Sequence, residues 1–311
     1  MISVVITYID ETSFLKEALE SALQQDPPPF EIIVVCNDRF HSIDPVHLSV
    51  TIPEIQWIHE PIPGSAFARN KGLHRASGEW IQFLDVDDIL LPGKIANQLN
   101  RKAGAIVSPH IYRHLDGTQE FSRWLPEDFW TGLLDSGLGS TSSMLWNRQA
   151  LLQIGGWSPD YRSHQEYELL FRIAKAGYEI NTVDRKETIV RERESGSITH
   201  QTKGIRPAEG IRLRESIWKY LVENSLNTPQ RKKAFQQYIF RQLRGLYRND
   251  PELAKKFYHQ YFSGEKFIPA QKSIPFYVLL IKTLGFGRTE TFIQFYRQLR
   301  DRYFSFLPKN N

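Results

Sequence analysis

Short apolar runs alternate with helix-like repeats along the N-terminal part of the chain. Residues 2–7 form a β-branched apolar run that predicts a buried strand. After residues 10–12, apolar side chains recur at helical spacing until an Asp-Pro-Pro-Pro segment at 26–29 ends the helix. A further helix is predicted over residues 65–76. The other apolar runs that predict strands are 32–35, 55–58 and 80–84. This alternation indicates an α/β fold, a mostly parallel sheet covered by helices on both faces.

Downstream of these strands the pattern is more mixed. Asp116-Gly117 predicts a hairpin turn between two short strands. Residues 167–176 place apolar side chains on one side of a helix, and Gly177 ends it. The α/β pattern therefore continues well beyond the first four strands.

Charge divides the chain of 311 residues into two parts of different composition. Residues 1–200 contain 18 Lys and Arg against 27 Asp and Glu, a net charge of −9. Residues 201–311 contain 21 basic and 8 acidic residues, a net charge of +13. From about residue 205 the pattern also changes to long helical segments rich in aromatic residues. We therefore predict an α/β domain over residues 1–204 and a basic helical region over residues 205–311.

The basic region contains one amphipathic stripe near the end of the sequence. Its large side chains recur on one side of a helix: Phe292, Phe295, Tyr296, Leu299 and Tyr303. The stripe either packs on the α/β domain, which leaves a solvated basic face, or lies in the interface of an anionic membrane. A nucleic-acid partner is not expected, because no nucleic-acid-binding module is recognisable in the sequence.

The chain has one cysteine, Cys36, at the end of an apolar run. A single cysteine excludes a disulfide within the chain and a zinc site built from several cysteines. We interpret it as a small buried residue or part of a site wall, not as a nucleophile. No signal peptide is recognisable, and no segment approaches the roughly 20 apolar residues of a transmembrane helix. We expect a cytoplasmic protein. If the stripe lies in the interface of an anionic membrane, the protein would attach peripherally to the inner face of that membrane.

The strongest local feature is Asp85-Val86-Asp87-Asp88, directly after a predicted strand. Ligands of open α/β sheets bind outside the carboxyl ends of the strands. Carboxylates crowded at such a point repel one another unless a cation lies among them, and oxygen ligands suit Mg²⁺ or Mn²⁺. The alternative is a solvated acidic turn, and the tetrapeptide by itself does not decide between the two.

The acidic turn belongs to an ordered series of segments. The others are Thr7-Tyr8-Ile9-Asp10 after the first strand, Cys36-Asn37 after the second, Ala68-Arg69-Asn70, Ala76-Ser77-Gly78-Glu79, Gly155-Gly156-Trp157 and Gln165-Glu166-Tyr167-Glu168-Leu169. Over about residues 1–200 the series resembles the inverting family 2 glycosyltransferases, which have the GT-A fold. The resemblance implies a Rossmann-like mixed sheet, mostly parallel, followed here by a helical C-terminal region.

The resemblance also implies the reaction and its partners. A sugar would pass from a nucleotide-diphosphate donor, a UDP-sugar above all, to a hydroxyl of a glycan or lipid-linked acceptor, in polysaccharide or glycoconjugate synthesis. Mn²⁺ or Mg²⁺ would neutralise the charge that develops on the leaving diphosphate. By the resemblance Asp87 holds the metal and Asp85 faces the ribose and the metal shell. His200 is a further candidate metal ligand, although a lone histidine is more often an ordinary polar residue.

Glu166 matches the family's catalytic carboxylate and would take the proton from the acceptor hydroxyl. Its alternative is the ordinary preference of acidic residues for a helix start. Arg69 would place a permanent cation near the donor phosphates or sugar, and its alternative is an ion pair on the helix surface. The resemblance assigns four further residues to the nucleotide sugar: Thr7, Tyr8, Asp10 and Asn37. Trp157 and Tyr161 are candidates for stacking on the acceptor sugar, and their alternative is core or rim packing.

Two departures from the family pattern keep other functions open. Cys36-Asn37 replaces an acidic pair that reads the base, and Gln165 replaces the acid before the catalytic carboxylate. A non-catalytic relative that binds sugar nucleotides or glycans is therefore the main alternative. A sugar nucleotidyltransferase or a dehydrogenase is disfavoured, because residues 8–12 contain none of the glycines of a phosphate-binding loop.

Overall fold

The computed structural model describes residues 1–9, 12–38, 55–99, 102–122, 125–194, 205–263, 267, 269 and 275–305. The chain divides into two compact units, residues 1–202 and 203–311. Asp10 and His200, both with predicted roles, lie outside the described residues, and their assignments stay predictions.

The first unit is built on a sheet of seven strands, counted over the described residues. In chain order the strands of the unit are β1 (Ile2–Tyr8), β2 (Glu31–Cys36), β3 (Ile55–His59), β4 (Trp80–Asp85), β5 (Ile89–Leu90), β6 (Ala105–Val107), β7 (Ile111–Arg113), β8 (Gln119–Phe121), β9 (Leu145–Asn147), β10 (Ile180–Thr182) and β11 (Thr188–Arg191). The large sheet has the order β10-β6-β9-β4-β1-β2-β3, and β9 runs antiparallel to its neighbours while the other pairs are parallel. The predicted mixed, mostly parallel sheet is confirmed.

Helices lie against both faces of this sheet. Those of the first unit are α1 (Thr12–Leu23), α2 (Ser65–Arg75), α3 (Lys94–Gln98), α4 (Phe129–Asp135), α5 (Arg148–Gln153) and α6 (Gln165–Lys175). Because side chains alternate along a strand, Val4 and Ile6 point to one face, where they share a buried cluster with Leu15 of α1. Val5 points to the other face, where it lies directly under Gly72 of α2.

A second sheet, of order β5-β11-β7-β8, extends the first unit. β7 and β8 form the predicted hairpin, and Gly117 adopts a φ of +83° in its turn, which glycine does without strain. β11 pairs with β5, which begins directly after Asp88. This pairing brings the chain at the end of β11 beside the acidic turn that follows β4.

The second unit is helical throughout its described residues. Its helices are α7 (Arg206–Glu223), α8 (Pro229–Leu246), α9 (Pro251–Phe262) and α10 (Pro275–Ser305), the last interrupted by non-helical backbone at Gly285. Its core is aromatic: the ring of Phe240 lies 6.0–6.5 Å from four others, those of Tyr258, Phe262, Tyr277 and Phe286. The predicted helical C-terminal region is therefore present.

The amphipathic stripe of α10 is exposed to solvent. The exposed fraction is 43% for Phe292, 58% for Phe295 and Tyr296, and 48% for Leu299. The side chain of Tyr303 lies outside the described residues. No helix in the described ranges is both long enough and apolar enough to cross a membrane.

Candidate active site

Three neighbouring parallel strands end together at one edge of the large sheet. Thr7 of β1 pairs with Val35 of β2 on one side and with Asp85 of β4 on the other. The Thr7 side chain is half-buried, and 34% of the Asp85 side chain is exposed. Thr7 and Asp85, both predicted as donor contacts, therefore share the edge at which α/β sheets bind ligands.

Arg69 connects this edge to the start of α6. Its Nη2 lies 2.6 Å from Oδ1 of Asp85, and its Nη1 donates to Oε1 of Gln165 at 2.7 Å. The guanidinium also lies over the ring of Trp157, 4.7 Å from the centroid. Because 4% of the Arg69 side chain is exposed, the alternative of a surface ion pair does not hold. The burial favours a role in positioning Asp85 over direct contact with a donor.

Gln165 holds this connection together from α6. Its Oε1 accepts hydrogen bonds from Arg69 and from Ser65 Oγ, the latter at 2.9 Å, and its Nε2 donates to the Tyr161 carbonyl at 2.7 Å. A neutral amide thus accepts both bonds without adding a second negative charge beside Asp85. This departure from the family pattern is compatible with an intact site.

Glu166 follows Gln165 directly, in the first turn of α6, where the helix dipole favours a carboxylate. Its side chain is half-buried. The second acid of the same turn, Glu168, forms a two-pronged ion pair with Arg172, with N–O distances of 2.6 and 2.8 Å. Glu168 is therefore committed to the fold, which leaves Glu166 as this turn's candidate for the base. Tyr161, half-buried one turn before α6, keeps its predicted acceptor role as a prediction.

The acidic turn after β4 is held by the chain at the end of β11. The Asp88 amide donates to the Asp85 carbonyl at 2.9 Å, and the Arg191 amide donates to Oδ1 of Asp88 at 3.3 Å. Arg191 Nε donates to the Asp87 carbonyl, and Arg193 Nη1 lies 3.6 Å from Oδ2 of Asp87. The turn is thus fixed in shape, with a cation beside Asp87.

Asp88 is the carboxyl group of this turn whose pKa its surroundings shift clearly. Burial raises the pKa of Asp88 well above its ordinary value, and the charges of Asp87 and Asp85 raise it further; hydrogen bonds from Ser142 and the Arg191 amide oppose this. A raised pKa favours the protonated form of Asp88. The carboxyl oxygens of Asp85 and Asp87 remain as candidate ligands, and an oxygen set of this kind fits Mg²⁺ or Mn²⁺.

Two motifs that are separate in the sequence meet beside this site. Asn70 Oδ1 accepts from the Trp157 amide at 2.7 Å, and Asn70 Nδ2 donates to the Trp157 carbonyl at 2.8 Å. Gly156 has a φ of +69°, and a Cβ there would overlap Asn70 Oδ1. The indole of Trp157 is 1% exposed and packs edge-on against Phe83. The prediction that Trp157 contacts an acceptor sugar is therefore wrong, because the ring belongs to the core.

Asn37 also has a different role from the predicted base contact. Its Nδ2 donates to the Glu60 carbonyl at 2.8 Å and to the Ile62 carbonyl at 2.7 Å, and its Oδ1 accepts from the Gly64 amide at 2.8 Å. Both amide hydrogens are thus used to hold the loop that leads into α2. Tyr8 is similar, since its side chain is 3% exposed and belongs to the buried cluster under α1. The side chains of Asn37 and Tyr8 are thus engaged in loop contacts and core packing, respectively.

Sequence reasoning missed three residues that shape this site. Ser142 Oγ accepts from the Asp85 amide at 3.0 Å, and Arg191 and Arg193 contact the acidic turn. The available signal was a pair of arginines two residues apart in the net-acidic part of the chain. Nothing in the sequence connects that pair with a turn more than a hundred residues earlier, because the β5–β11 pairing makes the connection.

Comparison with known proteins matches the chain to one family. The family model described as glycosyl transferase family 2 covers residues 3–160, slightly more than half of the chain. An uncharacterised glycosyltransferase of Haemophilus influenzae is 27% identical over 185 residues, which are 56% of this chain and 62% of that protein. The chain thus spans less than two thirds of that relative's length.

Solved structures show the same fold at low sequence identity. TarS 1–349 of S. aureus, in complex with UDP-GlcNAc, has a TM-score of 0.60 at 16% identity, over 83% of this chain and 77% of that one. The mannosyltransferase PcManGT of Pyrobaculum calidifontis, in complex with GDP-Man and Mn²⁺, has a TM-score of 0.52 at 18% identity, over 83% and 78%. The predicted GT-A type of fold is confirmed.

Proposed function

The chain belongs to glycosyl transferase family 2, and we propose that it transfers a sugar from a nucleoside-diphosphate donor to an acceptor hydroxyl with inversion. We propose a UDP-sugar as the donor and a glycan or lipid-linked acceptor, in polysaccharide or glycoconjugate synthesis. The two structural neighbours, solved with UDP-GlcNAc and with GDP-Man, support a nucleotide-sugar donor because they share the fold.

One observation carries this proposal: Arg69 links the carboxyl end of β4 to the first turn of α6 through Asp85 and Gln165. Donor and acceptor chemistry require a charge-stabilising group and a base on either side of one anomeric carbon. The hydrogen-bonded chain joins Asp85 to the side chain of Gln165, the residue before Glu166, and this connection supports the assignment of Asp85 and Glu166 to one site.

Each residue of this proposed site has a defined task. Asp85 and Asp87 would hold Mn²⁺ or Mg²⁺, and such an ion would supply positive charge against the departing diphosphate. Arg69 keeps Asp85 in place, and Arg193 adds a permanent cation beside Asp87. Glu166 accepts the proton of the attacking hydroxyl, because the helix dipole stabilises a carboxylate in the first turn and a carboxylate can hydrogen-bond the nucleophile.

We further propose that the second unit attaches the protein to an anionic membrane, as its net charge of +13 over residues 201–311 favours. The exposed stripe of α10 provides apolar contact area. A cavity of about 730 Å³ in the same unit is lined by Phe292 and Phe295 and by the cations of Lys255 and Arg288. Aromatic rings beside cations match the boundary between acyl chains and phosphate headgroups.

The decisive experiment is a screen of UDP- and GDP-sugars with the full chain, with Mn²⁺, with Mg²⁺ or with excess chelator. Saturation-transfer NMR measures donor binding, and release of nucleoside diphosphate measures turnover. We expect Asp87→Asn to lower turnover by at least about 100-fold, because it removes a charged metal ligand. Asp184→Asn, at an exposed position of the same unit, is the matched control.

The outcomes separate the two functions that the sequence left open. Turnover that needs a divalent cation and Asp87 supports the transferase. Donor binding without turnover on any acceptor or on water supports a sugar-nucleotide-binding relative. Full activity of Asp87→Asn, or full activity in chelator, contradicts the metal assignment.

A further inference from the structure

Three side chains with metal-ligating atoms converge at the ends of β2 and β3. Cys36 and His59 are the last residues of these two parallel strands, and the register pairs them directly. Asp38 follows β2 and places its Oδ1 3.2 Å from Cys36 Sγ and 3.4 Å from His59 Nε2. The three ligating atoms all lie within 4.8 Å of one another.

Two of these separations are close to the edge lengths of a small coordination polyhedron. Around a tetrahedral zinc ion, with bonds of about 2.0–2.3 Å, ligand atoms lie roughly 3.3–3.7 Å apart. The two separations to Asp38 Oδ1 are close to that range, so side-chain adjustments would bring all three ligands onto one ion. His59 Nε2 also lies 2.9 Å from the Asp38 carbonyl, and coordination would replace this contact.

We propose that Cys36, Asp38 and His59 bind one Zn²⁺ ion, with a water molecule completing a tetrahedral site. Thiolate and imidazole ligands favour zinc, whereas the all-oxygen set at Asp85 and Asp87 favours Mg²⁺ or Mn²⁺. The chain would therefore carry two chemically different metal sites along one edge of its large sheet. A single cysteine suffices here because the other two protein ligands are an imidazole and a carboxylate.

A reactive thiol is a poorer explanation of this cluster. Burial raises the pKa of Cys36 to about 11, and the neighbouring charge of Asp38 acts in the same direction. Without a metal the thiol therefore stays protonated at neutral pH, unlike nucleophilic or redox-active cysteines. Binding of Zn²⁺ would exchange the thiol proton for the ion and release that proton to solvent.

The proposed ion would stiffen the wall of the donor site. Between the ligands Cys36 and Asp38 lies Asn37, whose side chain holds the loop from Glu60 to Gly64. That loop leads directly into α2, which carries Arg69. Zinc would thus restrain this loop at both ends, through His59 before it and through Asn37, which bonds Gly64. The ion would act on the position of Arg69 without contacting the reacting atoms.

Cobalt titration of the metal-free full chain tests the site, because Co²⁺ bound to a thiolate gives a charge-transfer absorption band. Cys36 is the sole cysteine, so such a band can come from no other residue. We expect the thiolate band to saturate at one thiolate-bound Co²⁺ per chain and to disappear when Zn²⁺ displaces that ion, with about one proton released as the band forms. His59→Gln should weaken binding by at least about 100-fold, more than the loss of an outer-shell partner does.

Two control variants make the result specific. His74→Gln changes an exposed imidazole on α2, and Asp87→Asn changes the separate oxygen site; both should keep the band and the affinity. Circular dichroism of each variant in chelator establishes that it folds, and Asp38→Asn provides a second ligand variant if His59→Gln does not. Absence of a thiolate band in the unmodified chain overturns the proposal. So does an affinity that His59→Gln and Asp38→Asn leave unchanged.

Discussion

Glu166 is the single residue on which the proposed inversion depends. We expect Glu166→Gln to lower kcat by about 10²–10⁴-fold, because an amide cannot take the proton of the acceptor hydroxyl. Donor affinity should hardly change, since the base faces the acceptor and not the leaving group. Steady-state kinetics and NMR of the product anomer measure both. Glu179→Gln, an exposed acid just after α6, serves as the control. A normal kcat in Glu166→Gln, or a product with retained configuration, contradicts the mechanism.

Whether a residue could be assigned correctly depended on whether its neighbours in the sequence determine its position. Asp85 could be placed at the sheet edge because it directly follows an apolar strand. Trp157 and Asn37 could not be assigned correctly, because their burial is decided by partners far along the chain. Trp157 packs on Phe83 and hydrogen-bonds Asn70, and residue type alone does not distinguish such a ring from one that stacks on a sugar.

At the scale of elements, the close approach of α2 to β1 and β2 makes a specific demand on Gly72. A Cβ at this position would overlap Val5 and lie 3.3 Å from Cγ2 of Val35. We expect Gly72→Ala to destabilise the protein by about 1–3 kcal/mol, because overpacking outweighs the better helix propensity of alanine. The shift of the urea midpoint measures this loss of stability.

The matched control is the helical glycine of α8, Gly245. An added Cβ there would meet its nearest neighbour, Pro207 Cγ, at 4.0 Å, an ordinary contact. Gly245→Ala should therefore stabilise the protein by about 0.5–1 kcal/mol through helix propensity. Equal effects of the two substitutions would mean that α2 does not pack on the sheet as closely as described.

Glu31 joins elements at the opposite end of the strands and gives stability a pH dependence. Burial raises the pKa of Glu31, but hydrogen bonds from Ser3, Ser77 and Gln56 outweigh burial, and the net pKa lies below 4.5. A lowered folded pKa means that the stabilisation is present above about pH 4.5 and disappears as the pH falls through the folded value. We expect Glu31→Gln to cost about 1–3 kcal/mol at pH 7.

Denaturant unfolding of Glu31→Gln between pH 3 and 7 checks this expectation. The difference in unfolding free energy from the unmodified chain should shrink as the pH falls below about 4.5. Glu20→Gln changes an exposed carboxylate on α1 and should show little difference at any pH. A penalty for Glu31→Gln that stays constant down to pH 3 would rule out the ionised carboxylate as its source.

Most helices and strands of the first unit could be predicted from the sequence, but the strand pairing of its second sheet could not. Apolar runs and turn residues gave β1 to β4 and the β7–β8 hairpin, because these signals are local. The pairing of β5 with β11 joins residues 89–90 to 188–189, and no periodicity in either short segment indicates it. That pairing brings Arg191 and Arg193 to the acidic turn. Local sequence patterns therefore could not predict that these two arginines contact the turn.

At the scale of the whole molecule, the separation of charge places a basic, aromatic surface on the second unit. Lys282, Arg288 and Arg297 lie on α10 together with the exposed rings of its stripe. Each Lys or Arg near an anionic surface contributes about 1 kcal/mol, and salt screens this attraction. Deleting part of α10 is a poor test of membrane binding, because it can also disrupt the core of the second unit. Buried Glu290 of that helix accepts a hydrogen bond from Arg244 of α8 at 2.9 Å.

Point substitutions on the exposed stripe test the membrane proposal without disturbing this core. We expect the full chain to co-sediment with anionic but not zwitterionic vesicles, and to dissociate in high salt, because the attraction is electrostatic. Phe295→Ser together with Tyr296→Ser should weaken binding at least about 10-fold, since both rings are 58% exposed and available for burial in the interface. Phe121→Ser, which removes a 66% exposed ring from the first unit, is the matched control and should bind as the unmodified chain does. Equal binding to both vesicle types, or unchanged binding of the double variant, would contradict the proposal that the stripe of α10 binds an anionic membrane.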